Sequence, residues 1–416
     1  MSQLYFLMSA LFIVLAILAA VDSSLASLNL LPWFTGLRWV RVHLITLGAM
    51  TEALFGVLPL LAAIRFNLPR PRFRWTTWLA LNAGLLTLLI GIPIANGALI
   101  VTGGTLIFTA TILLISQLAA MRSAREVAAP ISQPIGPGGR PFYVAGLSFF
   151  LLGIVIGTGL WLGWGNVLHI QSPLEAHIHA NNWGMMALIF AGLIVDTYSL
   201  WSGQSLAWPR SVPVIFRLMT LGALLLVLGP WLKSSWFTLP GIVLHLTATF
   251  WLLLNVIRPL RGHLRGHHAV WSRPGVWHLL TSYFWIVAPV MMAPIILLGV
   301  PGVPGQTIEA NAPQALVYGW VFQFGFALLP FFFRRAFLPE EPARLGGNWF
   351  SLIAANLGGL FLWASIFVEP LAQPLHGTAY ALWAAAAVPI AVEIWRIVSR
   401  GLARLETIEP AAGAAD

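Results

Sequence analysis

Ten histidines and no cysteine set the chemistry open to this chain. Without thiolates there is no disulfide, no thiolate-held metal, no cysteine-bridged binuclear copper centre and no C-x-x-C-H haem attachment. A metal would have to be held by His, Met or oxygen, and neutral imidazole is the commonest protein ligand for metals. His43, His179 and His245 each stand inside an apolar run of the sequence. Ionisable side chains in such runs are costly and normally face a bundle interior with a partner. Three imidazoles at one depth on three helices are the pattern expected of a metal or haem (heme) site. The competing reading is that each imidazole satisfies a local hydroxyl or carbonyl, as Thr46 and Thr247 would permit.

His177 and His179 form a His-x-His pair in "EAHIHANNWG". Two residues along an α-helix are about 200° apart, so the two imidazoles cannot grip one metal and must face different partners. If the helix began only near Asn181, both would lie in a loop. Glu175, Asn181 and Asn182 stand where they would orient such ligands. Glu52 and Asp196 are the acids set within apolar runs, read either as proton-path residues or as partners of a neighbour. Arg38 and Arg41 precede His43 by about a turn, where they would neutralise haem propionates or anchor a helix end. His169 and His376 lie at or just above the level of His43, His177, His179 and His245, while His263, His267, His268 and His278 read as polar anchors at the opposite boundary.

The elements that must position these residues follow from composition. Of 416 residues, 59% are hydrophobic and 8% charged, against about 25% charged in an ordinary globular domain. Mean hydropathy is +0.85. So much apolar surface requires the bilayer as solvent. Apolar runs fall near 4–21, 37–64, 76–94, 98–121, 143–164, 174–201, 212–231, 237–258, 277–300, 313–335, 348–369 and 375–399. The expected fold is all-α: a polytopic bundle of about twelve transmembrane helices in one domain, 1–399, with a tail at 400–416. The tail is expected to be disordered from Ile408, and Ala129–Pro141 reads as a linker. The first run lacks a positively charged leader and reads as a retained helix rather than a signal peptide.

The net charge of +9 does not indicate nucleic acid, because the basic residues sit in short loops beside the runs. All Lys and Arg except Arg38, Arg41 and Lys233 fall in even-numbered connections, in the run ends that border them, or in the C-terminal tail. The positive-inside rule therefore predicts both termini in the cytoplasm of a cell (inner) membrane protein, with His43, His177, His179, His245 and His376 in the outer third. A short echo, "VHLIT" at 42–46 and "VLHLT" at 243–247, links the second and eighth runs, but one echo is not a repeat.

Twelve runs, a histidine in the outer part of the second and a further pair on the sixth resemble the catalytic subunit of haem–copper oxidases and nitric oxide reductases. "HIHANNWGMMALIFAGLIVD" (177–196) and "ALVYGWVFQFGFALLPFFFRR" (315–335) are similar to the divergent NnrS-like relatives, haem- and copper-containing membrane proteins associated with nitric oxide metabolism. The resemblance implies a haem–copper oxidase subunit I-like bundle, His43 as a haem ligand, His177 or His179 at a copper position, and electrons from a membrane or periplasmic donor or a quinol. The sequence departs from the oxidases in two places. No His-His pair occurs between Val212 and Trp231, and Gln314 opens the tenth run where they carry His-x-His. A rearranged site drawing on the second, sixth and eighth runs is the expectation. Two other classes compete: a permease, supported by Pro59, Pro93, Pro289 and Pro294, and a non-catalytic subunit of a larger complex.

Overall fold

A computed structural model describes residues 3–30, 38–128, 138–262 and 273–412. The described residues form twelve helices and no strand. They are α1 (Gln3–Ser27), α2 (Trp39–Phe66), α3 (Trp75–Gly91) and α4 (Gly97–Ala128). α5 (Arg140–Leu162), α6 (Pro173–Ser202), α7 (Val212–Leu232) and α8 (Ser235–Gly262) follow. The last four are α9 (Pro274–Leu297), α10 (Gly305–Phe337), α11 (Trp349–Phe367) and α12 (Ala372–Ala412). Eleven are long and apolar enough to cross a membrane. The exception, α3, has 17 residues and spans about 25 Å at ~1.5 Å per residue. The protein is an all-α, multi-pass membrane bundle whose outer surface faces lipid.

Two expectations about the ends change. α12 continues through Ala412, so Ile408–Ala412 is helical rather than part of a disordered tail. α4 runs seven residues past 121 to Ala128, and α5 begins at Arg140. The intervening linker residues 129–137, together with His263, His267 and His268, lie outside the described residues.

The chain packs as two compact units, Met1–Gly56 with His267–Asp416, and Val57–Gly266. In the first, α10 lies at the centre with α1, α9, α11 and α12 against it, and its Phe333 meets Phe6 of α1 with ring centroids 5.0 Å apart. In the second, α6 packs against α5 and α7, and α3 and α4 pair with each other.

A four-helix motif occurs three times: α1–α4, α5–α8 and α9–α12. The second helix of each quartet is the most enclosed, with 83%, 78% and 89% of its apolar window buried against at most 50% elsewhere. In each of these helices the winding widens from α to π for one long turn, at Leu44–Met50, Ala180–Met186 and Ala315–Phe322. The wide turn begins one residue after His43, His179 and Gln314. Five residues after each of these stands a glycine, Gly48, Gly184 or Gly319. It faces an aromatic ring of the preceding helix: Phe12, Phe149 or Trp285. A Cβ at any of the three would come within 3.0 Å of that ring, so only glycine permits the contact.

The third and fourth helices of each quartet also meet at a glycine. Gly84 abuts the carbonyl of Gly103, Gly222 that of Gly241, and Gly358 that of Ala379. Four residues after these carbonyls come Ile107, His245 and Trp383. The internal correspondence therefore aligns α2 with α6 and α10.

Candidate cofactor site

The His-x-His pair lies within α6, which starts at Pro173 with proline in its first turn, so neither histidine is in a loop. Regular α winding through His179 splits the two rings as the spacing predicts. His177 Nδ1 lies 2.9 Å from the carbonyl oxygen of Gly153 on α5. His179 Nδ1 lies 2.5 Å from that of Leu226 on α7. A carbonyl only accepts, so each Nδ1 carries the proton and each Nε2 is the unprotonated nitrogen.

Both acceptors have local causes. Pro230, inside α7, has no N–H to give the carbonyl four residues back, and that carbonyl is Leu226 O. Gly153 and Gly157 stand one turn apart on α5, the small-x-x-x-small spacing that lets membrane helices approach closely. A Cβ at Gly157 would lie 2.6 Å from His177 Cε1, and one at Gly153 2.5 Å from Asn181 Nδ2. Asn181 in turn donates to the His177 carbonyl at 2.9 Å. Glu175 is exposed in the first turn of the same helix.

His245 is held differently. Its Nε2 donates to Trp183 O at 3.2 Å, and its Nδ1 lies 3.5 Å from Thr249 Oγ1. The π-turn explains the acceptor. Ala187 N–H reaches back five residues to Asn182 O, and where the ladder returns to four-residue spacing one carbonyl is passed over. The next carbonyl, Trp183 O, takes its proton from His245 instead. The Trp183 ring lies edge-on to both imidazoles, with centroids 5.4 Å from His245 and 6.5 Å from His179. The Thr249 hydroxyl gives its proton to His245 O at 2.9 Å, so the bond to Trp183 O is the one that ties the His245 ring to the π-turn.

In the other unit, His43 ends the α-wound start of α2. Its Nδ1 donates to Trp39 O at 2.7 Å, and its ring stacks on the Trp39 indole at 4.5 Å. In the neutral ring Nε2 is again the acceptor nitrogen. Arg41 donates to Ser23 of α1 at 2.9 Å, while the Arg38 side chain lies outside the described residues. Glu52 is fully buried just beyond the π-turn. Asp196 accepts from Gly139 N at 2.9 Å and from Tyr143 Oη at 2.8 Å, holding the start of α5 against α6. His376 lies 3.4 Å from Ser27 Oγ and edge-on to Tyr380. His278 donates to or accepts from Ser351 Oγ at 2.8 Å.

Among the described residues, no three His, Asp or Glu side chains gather into a group able to hold a metal. Fixed imidazoles with an unprotonated Nε2 are nevertheless the donors a haem iron needs, since one or two axial histidines suffice. Several contributors escaped sequence reasoning. The Gly153/Gly157 spacing was readable in advance; the carbonyl freed by Pro230 was readable only with its partner helix known. The π-turns left no mark in the sequence. No protein-family model matches the chain, and no curated protein does either.

Proposed function

We propose that the chain is a haem- and/or copper-binding integral membrane redox protein, an oxidoreductase or electron carrier for nitric oxide or dioxygen chemistry. The observation that carries this reading is the shared state of His43 and His179. Each is the last residue before a π-turn in an enclosed helix, and each gives its Nδ1 proton to a backbone carbonyl. Such a second bond orients a ligating imidazole and fixes its tautomer. π-turns are themselves frequent at functional sites. Haem suits these donors better than copper, which would need further ligands around each imidazole. The haem, when bound, would supply the one-electron chemistry. The protein's part is to aim Nε2, with Arg38 and Arg41 close in sequence to His43 as counter-charges for carboxylates. Glu52 and Asp196 are the candidates to carry protons.

Electrons would come from a membrane or periplasmic donor or a quinol, since the chain has no cysteine-held entry centre. The arrangement of Lys and Arg supports an inner-membrane location with both termini cytoplasmic. Purified protein should be coloured, with a Soret band that shifts on reduction, and His43→Ala or His179→Ala should diminish it. A colourless protein with no bound iron or copper would favour a permease, the reading to which Pro59, inside α2, lends support.

A further inference from the structure

Near the start of α2, in the first unit, two buried donors stand without an acceptor. Arg41 Nη1 donates to Ser23 Oγ, and the guanidinium carbon lies 5.6 Å from the centroid of the Tyr380 ring. Its Nε is buried with no hydrogen-bond partner. Among the described residues no carboxylate pairs with it. The Tyr318 hydroxyl is also buried with no partner, on a side chain 1% exposed. The Tyr318 ring and the Arg41 guanidinium both lie against the ring of Tyr380.

The walls of this place are rigid. Tyr318 and Tyr380 meet edge to face at 5.3 Å, and Trp383 stacks on Tyr318 at 4.6 Å and 14°. The Tyr380 hydroxyl donates to Gln314 Oε1. A guanidinium N–H and a phenol O–H left without acceptors inside a membrane bundle are costly. One group would satisfy both: an anionic oxygen pair that takes an N–H from the guanidinium and the O–H of the phenol.

We propose that Arg41 and Tyr318 form a binding site for one small oxyanion, in its simplest form a carboxylate. Two sources share that chemistry: a free anion, or a carboxylate carried by the haem of the reading above. Only the second rests on that reading.

The test uses the purified full-length chain in detergent, with sodium formate as probe against sodium chloride at equal ionic strength. If the site takes a free anion, formate raises the melting temperature of the wild type. Arg41→Gln and Tyr318→Phe should then each weaken the formate midpoint at least about fivefold. If a cofactor carboxylate fills the site, formate has no effect on the coloured protein, and Arg41→Gln loses pigment about tenfold faster on dialysis. A formate response in Arg41→Gln equal to wild type overturns the proposal. So does the lack of both a formate response in the wild type and a pigment change in the variant. A colourless protein that responds to formate would sink the haem reading and leave the anion site standing.

Discussion

His179 donates its Nδ1 proton to Leu226 O at 2.5 Å, the carbonyl from which Pro230 withholds the usual helical donor. Proline and histidine, on different helices, thus form one device. Pro230→Ala would return an N–H to Leu226 O and set it in competition with the imidazole. Loss of an outer-shell partner of a ligating histidine typically costs about 10–100-fold in affinity or activity. We expect Pro230→Ala to lower cofactor retention in that range while raising the melting temperature. Retention equal to wild type would mean that His179 does not hold a cofactor.

The Gly153/Gly157 cradle makes a stability prediction independent of any cofactor. Gly157→Ala would press a methyl group against His177, and overpacking of this kind costs about 1–3 kcal/mol. Gly325→Ala is the matched control, since its Cβ would find its nearest neighbour, Leu329, at an ordinary 3.4 Å. Thermal unfolding in detergent should separate the two variants clearly. Similar melting temperatures would show that α5 and α6 pack less tightly at this point.

Asp196 accepts from both Gly139 N–H and Tyr143 O–H. Asp196→Asn keeps the shape but replaces one acceptor oxygen with a donor, stranding a buried partner at about 1–3 kcal/mol. Tyr143→Phe should cost less, because the Gly139 bond survives. If Asp196 is also on a proton path, Asp196→Asn should slow turnover beyond what its lost stability explains. Glu52→Gln provides the comparison for a buried acid beside a π-turn.

Sidedness is testable by reporter fusion. A reporter after Arg404 or near Arg265 should report the cytoplasm, and one near Gln306 the exterior. An external signal at Arg265 would invert the assignment and place the His43 and His179 ends of α2 and α6 on the inner side.

Glu175 stands exposed two residues before His177. Glu175→Gln should weaken a metal site about 10–100-fold without abolishing it. Complete loss of metal, measured by elemental analysis, would make Glu175 a direct ligand.

The bundle itself was legible because lipid demands long apolar runs with internally satisfied backbones, and such runs are read from composition alone. The opposed facing of His177 and His179 was legible too, since it depends only on helical pitch. His245 was not. Its depth matched that of a ligand, yet its acceptor is a carbonyl released by a change of winding one helix away, which no local pattern announces. Gln314 shows the same limit. Its equivalence to His43 and His179 became visible only through the π-turn and the Gly319–Trp285 contact, because the three segments share little beyond that spacing. Ile408–Ala412 misled through composition: Pro and Ala suggested a frayed end where the helix carries on.

The threefold recurrence of the quartet also bears on how such a chain could arise. If α3 crosses with the other eleven, four crossings return the polypeptide to the side from which it set out. Each quartet then enters the membrane in the same sense as the one before, and tandem joining of copies requires no reversal of topology. That distinguishes this arrangement from repeats with an odd number of spans, whose successive copies must insert upside down relative to one another. Copies in a common orientation can diverge one at a time, and Gln314 stands where the other two quartets carry histidine.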